Sequence, residues 1–185
     1  MPIEGLTDVE LLVLGLVAEM PRHGYQLDQV IEQRGMREWT RVGFSSIYFV
    51  LGKLEGMKLV TARKSKGTIG HAKARKVYSV TKAGRRTLVD QTIAAIREVR
   101  PVYSSLLLGM INWSALQKEH ALEALRVRHE AINAEIARLS AIQVAQQPLP
   151  DHVEALFDYS IGQLKAEAEW ARRNLDYMSS KPWLE

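Results

Sequence analysis

The sequence predicts a mainly α protein interrupted by one small β-hairpin. Three patterns carry that prediction. Helix-spaced apolar residues recur along the chain. Two β-prone segments flank a glycine-punctuated turn between residues 59 and 80. The final third holds two narrow apolar stripes at heptad spacing.

Thr7-Asp8-Val9-Glu10 is a capping box, with the threonine hydroxyl serving the first helix amides and Glu10 reaching back. The helix it opens, over about 8–20, is apolar nearly all round (Leu11, Leu12, Val13, Leu14, Leu16, Val17) and is expected to be buried. Pro21-Arg22-His23-Gly24 ends it. A second helix over 24–34 places Tyr25, Leu27, Val30 and Ile31 inward, and Gly35 closes it. Ser45 or Ser46 is expected to cap a third helix that runs to about Glu55. Its inward residues are Ile47, Val50, Leu51 and Leu54; Ser45, Tyr48, Phe49, Gly52 and Lys53 face out.

Leu59–Lys64 and Arg75–Val80 then read as strands around Gly67-Thr68-Ile69-Gly70-His71. Three helices followed by one hairpin is the order of a winged helix-turn-helix. Thr81 caps a fourth helix over 82–99, which Pro101 limits. A short apolar stretch, Val102–Ile111, leads to Ser114, the expected cap of a long helix ending near Ala145. Along it Leu122, Leu125, His129, Ile132, Ile136 and Leu139 step by three and four. Gln146–Pro150 breaks the chain, and a last helix over 151–179 repeats the pattern with Val153, Phe157, Ile161, Leu164, Ala168, Ala171, Leu175 and Met178. Two such helices form an antiparallel hairpin that cannot bury both stripes unaided, so a second copy is expected to complete it. The expected dimer surface comprises Leu122, Leu125, His129, Ile132, Ile136, Leu139, Phe157, Ile161, Leu164 and Leu175. His129 on this seam is expected to be a histidine hydrogen-bonded at its edge.

Composition removes several classes of function. With no cysteine there is no disulfide framework, zinc-thiolate site or cysteine nucleophile, which suits a reducing cytoplasm. The early apolar run Leu11–Ala18 is too short to span a membrane. No phosphate loop, nucleophile elbow or histidine ligand pair is present, so neither an enzyme nor a metal or cofactor is expected. Charge is more telling. Residues 1–87 carry a net +7 and residues 88–185 a net −3, and the nine basic residues between Arg63 and Arg86 have no acid among them. A basic half joined to a mildly acidic one suggests a polyanion-binding module with an appended domain. The expected organisation is a DNA-binding domain over 1–100 and a helical, coiled-coil-like dimerisation domain over 101–185.

Duplex DNA fits this arrangement. A major groove admits one helix, whose first turn reaches base edges while a neighbouring helix rests on the backbone. Ser45, Ser46, Tyr48 and Lys53 are the expected base-facing set, with His23 and Tyr25 at the start of the second helix. Arg63, Lys64, Lys66, Lys73 and Arg75 on the hairpin are placed to hold phosphates, supplying affinity and salt dependence but not sequence choice. The alternative is a protein-interaction adaptor that works through its coiled-coil arm; a hairpin free of acids argues against it.

Three blocks, Pro21–Leu27, Ser46–Glu55 and Arg75–Gly84, resemble the signature blocks of PadR-like transcriptional regulators, in the right order and over most of residues 7–88. The length and helical tail resemble members with the larger, virulence-activator-type C-terminal dimerisation domain. The resemblance implies a homodimeric winged-helix regulator, commonly a repressor, released from a pseudo-palindromic operator by a small effector. Since PadR-like proteins often bind phenolic or planar molecules, Trp113, Trp170 and Tyr177 are candidate effector contacts. Trp170 and Tyr177 are seven residues apart and so share a helix face. Two departures stand out. Lys58 occupies the place before Leu-Val where the family usually has glycine, which is expected to alter the exit from the third helix. Phe49 replaces a residue that is often proline and puts an aromatic on the exposed side.

Overall fold

The computed structural model describes residues 5–40, 42–64, 76–99, 101 and 103–183, which fall into two compact units, Met1–Arg100 and Pro101–Glu185. The first is a winged helix-turn-helix. Its helices are α1 (Asp8–Glu19), α2 (Gly24–Gln33), α3 (Phe44–Gly56) and α4 (Lys82–Arg97), and its wing is the antiparallel pair β1 (Val60–Lys64) and β2 (Lys76–Val80). Val60 faces Val80 at the base of the pair and Lys64 faces Lys76 towards the tip.

The capping box forms as its residues dictate. Thr7 Oγ1 accepts from the Glu10 amide, and Glu10 Oε2 accepts from the Thr7 amide at 2.9 Å. Val13, Leu14, Leu16 and Val17 of α1 are buried with Leu27, Ile31, Ile47, Val50, Leu51, Leu54, Leu59 and Val60 in one core. Leu11 and Leu12 are only half-buried, on the side of α1 that turns towards Leu88 and Thr92 of α4. Tyr25 does not point inward as its spacing suggested. It is exposed, because Leu27 and Ile31 already occupy the inner face of α2.

A third strand-like element went unread in the sequence. Arg22, between α1 and α2, forms an isolated bridge with Tyr78 of β2, its amide donating to Tyr78 O at 3.1 Å and the Tyr78 amide returning to Arg22 O at 2.9 Å. The Arg22 side chain is buried; its guanidinium bonds Leu16 O near the end of α1 and Glu19 at 2.8 Å. The segment that ends one helix is therefore also sewn to the wing.

At the start of α3 the expected serine cap is absent. Gly43 is the N-cap, and Phe44, Ser45 and Ser46 are the first three helical residues. Val42 is buried just before it, which anchors the chain entry two residues ahead of the serines. At the far end of the wing, Thr81 Oγ1 caps α4 by accepting from Gly84 N at 2.9 Å. A Cβ at Gly84 would stand 2.1 Å from the Leu59 carbonyl oxygen, so only glycine lets α4 lie this close to the base of β1.

The second unit contains α5 (Ser105–Ile111), α6 (Lys118–Ala145) and α7 (Asp151–Ser179). Ser114 does not cap α6. It lies in a 3-10 turn, Trp113–Ala115, and α6 starts behind Gln117. The α6 and α7 stripes bury one another within a single chain: Leu125, Ile132 and Leu139 pack with Phe157, Ile161, Ala168 and Ala171 among the buried residues. Five residues expected to meet a second copy (Leu125, Ile132, Leu139, Phe157 and Ile161) are thus covered inside the hairpin. Leu122, His129, Ile136, Leu164 and Leu175 lie half-buried along its margin. His129 contacts Asn133 Nδ2 one turn on, at 3.2 Å from its Nε2. Arg128 clamps Glu167 across the pair, with Nε to Oε1 at 2.6 Å.

No helix among the described residues is long and apolar enough to cross a membrane.

Candidate nucleic-acid interface

The outward face of α3 presents Phe44, Ser45, Tyr48, Phe49 and Gly52, with Ser46 half-buried at its edge. A first turn of two small hydroxyl residues leaves its amides approachable, and its positive dipole end favours phosphate. Phe49 is 74% exposed, the most open side chain of the helix's large apolar residues. Tyr48 is held, not loose. Its ring meets Phe44 edge-on at a centroid separation of 5.2 Å, and a Cβ at Gly24 would come within 2.6 Å of it. Gly24 is thus what lets the start of α2 seat the tyrosine of α3.

His23, Gly24, Tyr25, Tyr48, Lys76 and Tyr78 line a cleft of about 390 Å³ where α2, α3 and the wing meet. His23 caps α2 through Nδ1, which accepts from the Gln26 amide at 3.2 Å, so the ring proton is assigned to Nε2. Burial pushes the Tyr78 phenol above its ordinary value of 10.0, leaving it a hydrogen-bond donor at neutral pH.

Lys53, an expected base contact, is exposed on α3 and paired with an acid of α1. Its Nζ lies 2.5 Å from Oε1 of Glu10, a carboxylate only 3% exposed beneath α3. Burial alone would raise the Glu10 pKa, but the hydrogen bonds from Lys53 and Thr7 outweigh it and hold the carboxyl below the usual range. Lys53 therefore neutralises a charge at the edge of the core, a pairing between α1 and α3 invisible to local pattern.

On the wing, Arg63 and Lys64 are exposed and have no acidic partner among the described residues. Lys66, Lys73 and Arg75 lie outside the described residues. The acid-free run is not acid-free in space, since Lys76 reaches Glu55 of α3 at 3.4 Å; Arg85 instead donates to a neutral carbonyl, Ala18 O of α1, at 3.2 Å.

In the second unit, two of the three candidate effector residues come together. Trp113 and Tyr177 share a cleft of about 400 Å³ with Met178, Lys181, Pro182 and Trp183. Trp170 is not among its lining residues; its carbonyl accepts from Asn174 Nδ2 at 2.8 Å within α7. Trp183 was missed in the sequence because it follows the last periodic helix residue and carries no pattern of its own.

Residues 13–90 match the transcriptional regulator PadR-like family. The match lies within the N-terminal unit. Among curated proteins, 98 residues are 32% identical to an uncharacterised 37.1 kDa protein in transposon TN4556 of Streptomyces fradiae, covering 53% of this chain. The match spans about a quarter of that longer relative's length, 26%.

Solved PadR-like structures resemble nearly the whole chain. Bacillus subtilis PadR in complex with operator DNA gives a TM-score of 0.73 at 19% identity, covering 93% of this chain and 99% of that one. The same protein in complex with p-coumaric acid gives 0.73 at 18%, with the same coverage. A PadR-like transcriptional regulator from Bacillus cereus gives 0.65 at 20%, covering 94% and 99%. At these identities the likeness is one of fold.

The PadR-like frame gives meaning to the two departures. The exit from α3 at Lys58 is a regular hydrogen-bonded helix stop. The Lys58 and Leu59 amides bond Glu55 O and Leu54 O, both at 3.0 Å, which is a Schellman closure with a hydrophobic pair at Leu54 and Leu59. Lys58 itself takes φ 60°, the left-handed conformation that favours glycine. The turn is one that favours glycine, and a lysine is strained into it. Phe49, by contrast, changes what the helix offers outward.

Proposed function

We propose that the protein is a sequence-specific duplex-DNA-binding transcriptional regulator, a homodimeric repressor released by a small effector. The observation that carries this reading is the outward face of α3, small hydroxyls at its first turn and aromatics behind, set beside a basic wing in a PadR-like domain. Ser45, Ser46, Tyr48 and Phe49 stand nearest the bases. Phe49 offers an apolar contact suited to a thymine methyl group. Arg63 and Lys64, with Lys66, Lys73 and Arg75, hold phosphates, and His23 and Tyr25 line the backbone side of the same cleft. Lys53 is left out of this set because Glu10 holds it.

In a two-fold dimer, two α3 helices enter successive major grooves with centres about 34–36 Å apart. The solved Bacillus subtilis PadR–operator complex supports DNA as the partner, and the p-coumaric acid complex of that protein supports a small aromatic effector. Residues 1–100 form the DNA-binding domain and residues 101–185 the dimerisation domain. With the α6–α7 seam filled from within, the surface the second unit offers to a second copy is the exposed apolar set of Leu107, Leu108 and Ile111 on α5.

Selection from a random duplex pool, followed by gel shifts at two salt concentrations, tests the reading. A palindromic consensus is expected. Lys64→Ala should weaken all sequences and lower the salt slope by about 1 per protomer. Phe49→Ala should lose the preference for thymine over uracil at one position, about a tenfold effect at most, since the two bases differ by a methyl. Equal losses on consensus and random DNA for every variant would overturn the division of roles. No salt-sensitive shift at all would favour the adaptor.

A further inference from the structure

Between Phe44 and Gly56, α3 has no arginine, asparagine, glutamine or aspartate. In a major groove, bidentate hydrogen bonds distinguish the bases: arginine or lysine to guanine, asparagine or glutamine to adenine, and acids to cytosine. Of that set α3 holds only Lys53 and Glu55, and both are engaged. Lys53 Nζ lies 2.5 Å from Glu10 Oε1, and Lys76 Nζ lies 3.4 Å from Glu55 Oε2. The other polar side chains of the helix are Ser45, Ser46 and Tyr48. Their hydroxyls both donate and accept, so they single out no one base.

Ser45, Phe49, Gly52 and Gly56 step by four, three and four and share one exposed face of α3. A Cβ at Gly52 or Gly56 would meet nothing within 4 Å, so beyond Phe49 this face is bare backbone that permits close approach. Phe49, 74% exposed, is the one bulky side chain on it. The apolar feature that base pairs display in a major groove is the C5-methyl group of thymine. Uracil and cytosine lack that methyl, and 5-methylcytosine carries it at the same ring position.

We infer that α3 reads C5-methyl groups through Phe49, and so distinguishes 5-methylcytosine from cytosine as it distinguishes thymine from uracil. The inference rests on the DNA-binding reading above and adds a modified base to what the helix recognises. Its consequence is regulatory. Where a cytosine of the operator meets Phe49, methylation at C5 strengthens the complex without any change in the protein. Where a T·A pair meets Phe49, a 5-methylcytosine·G pair takes its place, although the hydrogen-bonding edges of the two pairs differ.

Competition gel shifts of the full-length protein on the selected duplex test this. Each T·A pair of one half-site is replaced in turn by U·A, C·G and 5-methylcytosine·G. At the pair that meets Phe49, U·A and C·G are expected to bind about fourfold more weakly than T·A, the worth of one buried methyl. The 5-methylcytosine·G duplex should stay within about twofold of T·A, and Phe49→Ala should bring all four within about twofold of one another. The duplex series on the unaltered protein carries the test if Phe49→Ala fails to fold. Binding of 5-methylcytosine·G no better than C·G at every pair, or a gain that survives Phe49→Ala, overturns the inference. Salt-sensitive, sequence-selective binding would then still uphold the DNA-binding reading, whereas no shift with any duplex removes both.

Discussion

Leu14, Leu27, Ile47, Leu51 and Leu54 of the N-terminal unit are shut off from solvent on every side, at 0% exposure. Along α6 of the C-terminal unit, burial beyond Ala121 comes once in seven residues, at Leu125, Ile132 and Leu139. The first unit closes a core in three dimensions, with helices and a wing contributing to one cluster. The second closes a seam, and it supplements that seam with polar clamps: Arg128 on Glu167, and Lys118 on the carbonyls at the end of α7. The lesson is that the two halves of one chain answer to different substitutions. Volume and backbone proximity rule the first, whereas helical propensity and cross-helix pairing rule the second.

Core truncation should separate them most. Leu51→Ala is expected to cost about 3–4 kcal/mol in denaturant unfolding and Ile132→Ala about 2, because the seam can relax around a lost side chain. Equal costs would break the comparison. Glycine replacement should reverse sign between the units. Gly84→Ala drives a methyl into the Leu59 carbonyl and should cost about 3 kcal/mol, while Gly162→Ala, in open space on α7, should stabilise by about 0.5–1.

A smaller effect is expected at the Glu10–Lys53 pair. Lys53→Met should cost about 1–2 kcal/mol at neutral pH, less than a fully buried pair because Lys53 is half in solvent. The sign with pH follows from the lowered Glu10 value. The wild-type contribution is present above the ordinary glutamate value of 4.5 and is lost as pH falls through the lower folded value. Without its cation the carboxyl takes a proton more readily, so the gap between variant and wild type should narrow from pH 7 towards pH 4. The salt slope of DNA binding should not move; a shift of about 1 would return Lys53 to the DNA face. Smallest of all, Lys58→Gly should raise the melting temperature slightly, worth about 0.5–1 kcal/mol, by relieving the left-handed lysine.

The order of elements in the N-terminal unit was legible because its signals are local. Thr7 with Glu10, Thr81 with Gly84, and the α3 spacing Ile47–Val50–Leu51–Leu54 each lie within one or two turns of chain. What local pattern missed joins distant positions. Glu10 meets Lys53, Lys76 meets Glu55, and Arg22 pairs with Tyr78, so one expected base contact turned out to be held by an acid of the core edge. Gly43 displaced the serines as the α3 cap because burial of Val42 fixes where the chain enters. In the C-terminal unit the heptad stripes were read correctly as apolar, but a stripe does not say whether its mate is in the same chain. Of the candidate cleft, Trp113 and Tyr177 were found and Trp183 was not.

The bridge between Arg22 and Tyr78 has a consequence in time as well as in space. Its two hydrogen bonds run in opposite directions between the same pair of residues, so neither opens without the other. In hydrogen exchange the Arg22 and Tyr78 amides should therefore report a single event, the lifting of β2 away from the turn between α1 and α2. Because Tyr78 shares its cleft with Tyr48 and Gly24, that event also loosens the seat of the tyrosine on α3. Two amides far apart in sequence thus form one clock for the opening of the cleft between α2, α3 and the wing.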